Sequence, residues 1–319
     1  YNNIPSLSDS KTHYPEKNTK SYESINNIIV NQLIGLGFNE VVNNSIISPT
    51  SNNFKKEIDE SKLVDILNPI GTEISQMRNS LLFGLLENIS YNLKRQEQNI
   101  KIFETGKVYL NDKGEFIENK YVSISLTGDF YDQNWIYNNQ PDIFFKMKGI
   151  VNSILVKLGF NKCEEVVVNK NMFEDSIEFR LGGKLIAMAG TVNLKTINHF
   201  DIHQQVAYAE LELNKIFDFY SNKKFKVSPI RQFPYSKRDY AIMIDSDVDF
   251  NSLKEKSLKI SGKLLYKIDL FDVYNGKELP KNKKSYGISF YFYNNEKTIT
   301  DSEINIICNK LEKMFIDSF

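Results

Sequence analysis

The stretch Phe271-Asp272-Val273-Tyr274 ends a run of alternating residues that begins at Leu264 and predicts a β-strand. Alternation and turn residues on both sides of this strand predict a small module of sheet and helices. The other predicted elements are strands at 239–245 and 285–293, a helix at 249–261 with Asp249 as its N-cap, and a last helix opened by Thr300-Asp301-Ser302-Glu303. The predicted order of elements is βαββα, with a final strand possible at the end.

This order is that of the ferredoxin-like arrangement. Asp272 and Tyr274 are two residues apart on a strand, so both side chains leave the same face. A tyrosine ring gives an unpaired base a surface for stacking, worth about 1–3 kcal/mol per base. A carboxylate accepts hydrogen bonds from the N1–H and amino group of guanine, an edge exposed only in unpaired RNA. The pair indicates an RNA-binding surface, while the alternative is that Tyr274 covers a sheet edge and the lysines after it are merely solvated.

The composition limits the classes of function. The chain has 319 residues, 41% hydrophobic and 25% charged, which is typical of a globular protein with about two domains. Its 40 basic and 40 acidic side chains balance, so a nucleic-acid site has to be local. Cys163 and Cys308 belong to no motif and predict reduced, buried thiols. No apolar run reaches the ~18 residues of a membrane span. The opening Tyr1, without Met or a signal peptide, predicts a fragment of a longer protein.

The first two-thirds of the chain predicts an α+β domain. Apolar stripes predict helices and alternation predicts strands, several of them joined as antiparallel hairpins around turns such as Gly182-Gly183. Antiparallel pairs with inserted helices favour an α+β layer over a doubly wound parallel sheet. The predicted helices are 20–36, 77–93 and 144–158, and the predicted strands are 38–47, 100–109, 121–127, 177–181, 184–192 and 207–213. A polar stretch near residue 222 predicts the domain boundary, giving domains 1–222 and 223–319.

Familiar catalytic and metal-binding patterns are absent from the sequence. His199 and His203 are four residues apart but have no further ligand at suitable spacing, so a polar surface turn is favoured over a metal site. Gly35-Leu36-Gly37 lacks the preceding strand and the third glycine of a phosphate-binding loop. Neither a Walker sequence nor a Gly-x-Ser-x-Gly elbow occurs.

In their order and spacing, motifs along nearly the whole chain resemble the C-terminal half of the β subunit of bacterial phenylalanyl-tRNA synthetases. The opening residues are similar to the end of that family's B5 domain, the middle motifs to its catalytic-like module, and the last ones to its ferredoxin-fold anticodon-binding domain. These motifs are Tyr1-Asn2-Asn3-Ile4-Pro5, Met77-Arg78-Asn79-Ser80-Leu81-Leu82, Tyr91-Asn92-Leu93-Lys94-Arg95, Phe103-Glu104-Thr105-Gly106-Lys107-Val108-Tyr109, Phe144-Phe145-Lys146-Met147-Lys148-Gly149, Phe233-Pro234-Tyr235-Ser236-Lys237-Arg238-Asp239 and residues 264–285.

The resemblance implies a noncatalytic module with the class II synthetase fold. In the family the α subunit performs the ATP-dependent charging, and the whole enzyme joins phenylalanine to tRNA-Phe as a cytoplasmic α2β2 tetramer that uses ATP and Mg²⁺. The implied partners of this chain are therefore the α subunit and tRNA-Phe, with no membrane. A class II site needs an arginine for the ATP phosphate, and Leu110 stands at the matching position. An apolar side chain cannot neutralise phosphate charge, so no cofactor, metal or catalytic residue is expected here.

The resemblance also implies four contacts to the first anticodon base. Tyr274 would stack on the base, and Asp272 and Ser285 would form hydrogen bonds with it. Ala241 is small and would let the base approach. These four residues are the central prediction for the site.

Two basic residues complete the predicted RNA-binding set, and some alternatives stay open. Lys284 belongs to a group of lysines that suits contact with phosphates, and Arg238 is expected either at a phosphate or in a structural ion pair with an aspartate. The helix 20–36 is expected to face either the α subunit or its own domain. The final strand of the ferredoxin-like fold is uncertain, because the sequence ends at Phe319. The alternative functions are a stand-alone RNA-binding or interaction module and a self-sufficient class II ligase.

Overall fold

The structure is a computed structural model that describes residues 21–49, 60–69, 71, 74–129, 142–223, 230, 232–276 and 279–318. The chain divides into two compact units, Tyr1–Phe225 and Lys226–Phe319. The predicted B5-like opening, Tyr1 to Pro5, and the last residue, Phe319, lie outside the described residues.

The first unit alternates helices and strands, and its largest sheet is almost entirely antiparallel. In the described residues this sheet has the order β1-β4-β5-β9-β8-β7-β6, and β1 alone pairs in parallel, with β4. A small second sheet joins β2 and β3. The elements are α1 (Tyr22–Gly35), β1 (Asn39–Glu40), β2 (Ile46–Ile47), β3 (Gln76–Met77), α2 (Leu82–Leu93), β4 (Ile100–Asp112), β5 (Glu115–Thr127), α3 (Ile143–Lys157), β6 (Glu164–Val168), β7 (Phe173–Leu181), β8 (Lys184–Val192), α4 (Leu194–His199), β9 (Val206–Glu212) and α5 (Leu213–Ser221).

Apolar side chains cover both faces of this sheet. On one face, α1, α3 and α5 pack against strand residues such as Ile124 and Ala209. On the other, α2 and α4 pack against residues such as Ile102 and Tyr208. Helices laid on a mainly antiparallel sheet confirm the predicted α+β class.

The predicted strand 38–47 is wrong as a single element. Only Asn39–Glu40 and Ile46–Ile47 are strands, and they belong to different sheets. The residues between them have no regular main-chain ladder and use side-chain contacts instead. Asn43, for example, turns its side-chain amide to the buried carboxylate of Glu104, with Nδ2 to Oε2 at 2.8 Å.

The predicted helix 77–93 begins five residues too early. Its apolar face is correct from Leu82 onward, where the helix starts. Met77 belongs to β3, and the main chain of Arg78 forms hydrogen bonds with Ser45 and Tyr109, so this segment is extended. Long-range bonds of this kind outweigh the local helical pattern. Strand β6 and helix α4 were not predicted, because they are short and carry little periodic signal. Helix α5 was missed although Leu213, Ile216 and Tyr220 have helical spacing.

The second unit contains β10 (Ser236–Asp245), α6 (Phe250–Ser261), β11 (Leu265–Tyr274), β12 (Lys283–Phe292) and α7 (Asp301–Ser318), which confirms the predicted βαββα order. The three strands form an antiparallel sheet in the order β10-β12-β11. Both helices contribute to a core with strand residues such as Ile288 and Phe290. Helix α7 continues to Ser318, so the described residues contain no fourth strand of this sheet.

The helix boundaries of this unit follow the predicted capping residues. Asp249 accepts a hydrogen bond from the main chain of Asn251, and Gly262 ends α6 with a φ of 58°. At the start of α7, the main-chain N of Thr300 donates to Glu303 Oε2 at 3.0 Å and Glu303 N donates to Thr300 Oγ1 at 3.4 Å. These reciprocal bonds form the predicted capping box.

The capping box gives a testable pH dependence. Bonds from Lys297 and from Thr300 lower the pKa of Glu303 from 4.5 to about 2. Since the folded pKa is depressed, the charge of Glu303 stabilises the fold above about pH 4.5, and this contribution is lost as the pH falls towards 2. In Glu303→Gln, stability is expected to fall less between about pH 5 and pH 3 than in the unchanged chain. Urea unfolding at both pH values measures this, with exposed Glu255→Gln as the control. An identical pH dependence for both variants would refute the assignment.

Candidate nucleic-acid interface

The side chains of β12 alternate between two faces of the small sheet, a core face that packs against the helices and an open face. Tyr286, Ile288, Phe290 and Phe292 alternate along the strand and are buried against the helices. The residues between them point the opposite way, because successive side chains of a strand leave opposite faces. This second set, which begins at Ser285, defines the open face.

The structure brings the four predicted base-contacting residues together on the open face. Gly287 of β12 pairs with Ala241 of β10 and Asp272 of β11, which forms one row across the sheet. In the neighbouring row, Ser285 pairs with Tyr274. Residues directly paired across antiparallel strands share a face, so the four lie in two adjacent rows. Ala241, Asp272 and Tyr274 are exposed, and Ser285 is half-buried.

Phe271 joins this surface through a β-bulge that the sequence did not reveal. Strict alternation would send Phe271 to the face opposite Asp272, but the register of β11 shifts between Leu270 and Asp272. The ring of Phe271 lies over Gly287, where a methyl group would come within 2.7 Å of Phe271 Cε2. Its side chain remains 60% exposed. The glycine opposite the bulge is the signal in the sequence that could have indicated this contact.

The ring of Tyr274 also lies against a glycine. A methyl group on Gly276 would overlap the Cζ and hydroxyl oxygen of Tyr274, so the ring folds back into space that only glycine leaves. Tyr274 is 43% exposed. One edge of the ring is therefore supported by the chain while the rest remains available to a ligand.

Further along the open face, charged residues neutralise one another. Asp239 accepts a hydrogen bond from Ser289 Oγ at 2.7 Å and pairs with Lys237 at 3.0 Å. These two contacts lower the pKa of Asp239, and the aspartate in turn raises the pKa of Lys237. Lys267 pairs with Asp269 at 2.5 Å. This part of the face has local ion pairs rather than a strong field of one sign.

Arg238 and Lys284 are not brought to the open face. Arg238 pairs with Phe290 on the helix side, and its Nη2 lies 2.5 Å from Asp301 Oδ1 at the start of α7. Lys284 Nζ donates to the main-chain oxygens of Ser246 and Val248, each at 2.8 Å. In this structure both basic side chains bond to other elements of their own unit.

The sheet of the first unit carries a buried polar network. Arg78 Nη1 lies 2.6 Å from Glu104 Oε1, with 7% and 2% of the two side chains exposed. Nearby, Tyr208 Oη lies 3.0 Å from Ser123 Oγ and donates to Glu210 Oε2 at 2.8 Å. Burial raises the pKa of Tyr208 well above its ordinary value, so this phenol stays protonated at neutral pH.

His199 and His203, for which the sequence favoured a polar surface turn over a metal site, belong to no metal-ligand cluster among the described residues. His203 Nε2 lies 3.2 Å from Asp201 Oδ1 in an exposed turn. Across the described ranges, no three His, Cys, Asp or Glu side chains come together in a way that would hold a metal ion. Among the described helices, none is both long and apolar enough to cross a membrane.

Comparison with known families assigns both units. Residues 231–319 match the ferredoxin-fold anticodon binding domain, which places the second unit in a class of tRNA-binding modules. Residues 6–213 match the family described as phenylalanyl tRNA synthetase beta chain CLM domain. The chain belongs to the phenylalanyl-tRNA synthetase beta chain family, as its motifs predicted.

Curated relatives agree with this family. The chain is 31% identical to the phenylalanine–tRNA ligase beta subunit of Porphyromonas gingivalis, an alignment that covers 89% of this chain and 36% of the relative. It is 31% identical to that of Bacteroides thetaiotaomicron, over 99% of this chain and 40% of the relative. The chain thus spans about two-fifths of the length of these relatives. The crystal structure of pyrrolysyl-tRNA synthetase from Desulfitobacterium hafniense has a TM-score of 0.49 and 16% identity, covering 62% of this chain and 69% of that one.

Proposed function

We propose that this chain is the noncatalytic part of a phenylalanine–tRNA ligase β subunit that supports the catalytic α subunit and binds the anticodon of tRNA-Phe. The observation that carries the proposal is the placement of Ala241, Asp272, Tyr274 and Ser285 in two adjacent rows of one open face. The complete enzyme is then a cytoplasmic α2β2 tetramer, and its α subunit uses ATP and Mg²⁺ to charge the tRNA.

The chemistry of the open face suits an unpaired guanine. Tyr274 offers its exposed ring for stacking. Asp272, one row away, accepts hydrogen bonds from the N1–H and amino group of the base, which are free only outside a duplex. The hydroxyl of Ser285 adds a donor or acceptor at the centre of the sheet, and Ala241 leaves room above β10.

The first unit offers little to a nucleoside triphosphate. Leu110 lies in β4 opposite Ile117, half-buried, and its apolar side chain cannot bind a phosphate. Arg78 is committed to Glu104 and also donates to the main-chain oxygens of Lys107 and Asn43, at 2.9 and 3.2 Å. A buried guanidinium with these bonds is not available to a ligand, which supports a scaffold role for this unit.

The anticodon proposal is tested by exchanging one functional group on each side of the contact. The RNA is the anticodon stem–loop of tRNA-Phe, with guanine or inosine at the first anticodon position. Inosine lacks the amino group, so the unchanged chain is expected to bind the guanine RNA about tenfold more tightly, the effect of one charge-assisted hydrogen bond. In Asp272→Asn the preference is expected to fall to about threefold or less, because the neutral amide oxygen still accepts a hydrogen bond but a weaker one than a carboxylate.

Fluorescence anisotropy measures the affinity of each protein for both RNAs, six values in all. The salt concentration is held fixed, because phosphate contacts depend on ionic strength. Asp269→Asn is the matched control, since Asp269 lies on the same strand but pairs with Lys267. It is expected to keep the preference for guanine. An undiminished preference for guanine in Asp272→Asn would refute the role of Asp272 in reading the base.

A further inference from the structure

Phe271 is a large aromatic side chain that is exposed on β11. The helix-facing positions of the strand are taken by Ile268 and Leu270, which pack with the core. Counted from these two residues, regular alternation sends Phe271 to the open face, and the bulge that follows Leu270 turns Asp272 to the same face. Two consecutive residues, Phe271 and Asp272, therefore share the open face, and the large apolar ring of Phe271 is 60% exposed there.

Residues on both sides of the ring hold it in place on the open face. Gly287 leaves the space that the ring occupies, and a side chain there would meet both Phe271 and Asp272. On the other side, Lys237 Nζ lies 5.9 Å from the centre of the ring, within the range of a cation–π contact. The exposed ring thus lies between residues predicted to contact one base and the ammonium group of Lys237, which also pairs with Asp239.

We propose that Phe271 is a second base-stacking residue, which binds the unpaired nucleotide next to the one stacked on Tyr274. The inference rests on the proposed anticodon function and extends it from one nucleotide to two. Adjacent rows of one face lie about 6.8 Å apart along a strand, twice the rise of about 3.4 Å per residue. Successive bases in a continuous stack lie closer than this, so the loop has to open its stack to reach both rings. RNA-binding sheets hold splayed bases on successive aromatic side chains in this way.

The first test replaces the ring in the purified chain and measures affinity for the anticodon stem–loop of tRNA-Phe. Phe271→Leu is expected to weaken binding about 5- to 20-fold, because leucine keeps apolar area but loses the stacking surface. Phe271→Tyr keeps the ring and is expected to bind within about twofold of the unchanged chain. Phe116→Leu is the matched control, since Phe116 is an exposed phenylalanine of the first unit. Equal affinity of Phe271→Leu and the unchanged chain would overturn the proposal.

The second test identifies the nucleotide. Stem–loops that lack one base are prepared for the first anticodon position and for each flanking position. The loss caused by Phe271→Leu is expected to vanish with one flanking abasic RNA, while the loss caused by Tyr274→Leu vanishes with the RNA abasic at the first position. A Phe271→Leu loss that persists with all three RNAs overturns the proposal. If Tyr274→Leu and Asp272→Asn weaken binding but Phe271→Leu does not, only the second ring fails. If none of them weakens binding, the anticodon surface itself fails.

Discussion

Replacement of Arg78 by Met is expected to destabilise the first unit by about 3–5 kcal/mol, the usual cost of removing one partner of a buried ion pair. Arg78 and Glu104 are almost completely buried, and their closest atoms are 2.6 Å apart. Asn43 holds the second carboxylate oxygen of Glu104 at 2.8 Å. After the substitution the described bonds of this buried carboxylate come only from uncharged donors, Asn43 Nδ2 and the main-chain N of Asn43 at 3.3 Å. The main-chain oxygen of Lys107 also loses its bond from Arg78 Nε.

Hydrogen exchange of the β4 and β5 amides measures this effect, because it reports on the first unit alone. The matched control is Lys107→Met, because Lys107 pairs with Glu118 between the same two strands with 45% and 52% of the two side chains exposed, so its loss is expected to cost far less. The double variant Arg78→Met, Glu104→Leu replaces the pair with apolar groups and is expected to recover much of the loss. An Arg78→Met change no larger than that of the control would contradict the structural role given to the pair.

This ion pair also explains why the start of α2 was mispredicted. The apolar residues before and after Leu82 have helical spacing, so the pattern alone places residues 77–81 in the helix. Arg78 instead bonds to residues 26 and 35 positions away, Glu104 and Asn43. Contacts this distant leave no local signal, and only the folded chain shows that they determine the extended conformation.

Elements governed by local chemistry were predicted well. Gly182 and Gly183 both have positive φ, 56° and 77°, which is what a tight hairpin turn between β7 and β8 requires. Asp249 and the Thr300–Glu303 box lie at helix starts, because side chains there can bond free main-chain N–H groups. Each of these signals acts over a few residues and can be read without a fold.

The candidate site shows both outcomes. Asp272 and Tyr274 share a face by simple alternation, and the pairing of β11 with β12 adds Ser285 to them. Phe271 breaks the same alternation, because a bulge depends on how two strands register and not on the order of residues in one of them. Resemblance supplied the set of four residues, but it could not supply a fifth that only the register reveals.

Tyr274→Ala is expected to lower kcat/KM for tRNA-Phe in the complete ligase about 5- to 150-fold, since stacking is worth about 1–3 kcal/mol per base. The rate of phenylalanine activation, measured as ATP–pyrophosphate exchange, is expected to stay unchanged. The two assays differ because the exchange reaction needs no tRNA. Tyr274 lies on the open face of the second unit, paired with Ser285 of β12.

Two variants separate loss of the ring from loss of the fold. Tyr274→Phe keeps the stacking surface and is expected to retain most of the tRNA-dependent activity. Tyr91→Ala removes an exposed tyrosine from α2 of the first unit and is expected to affect neither assay. A loss of equal size in charging and in activation would show that Tyr274→Ala harms the enzyme as a whole. If Tyr274→Ala lowers tRNA charging alone and Tyr274→Phe restores it, the aromatic ring at position 274 acts by contacting the tRNA.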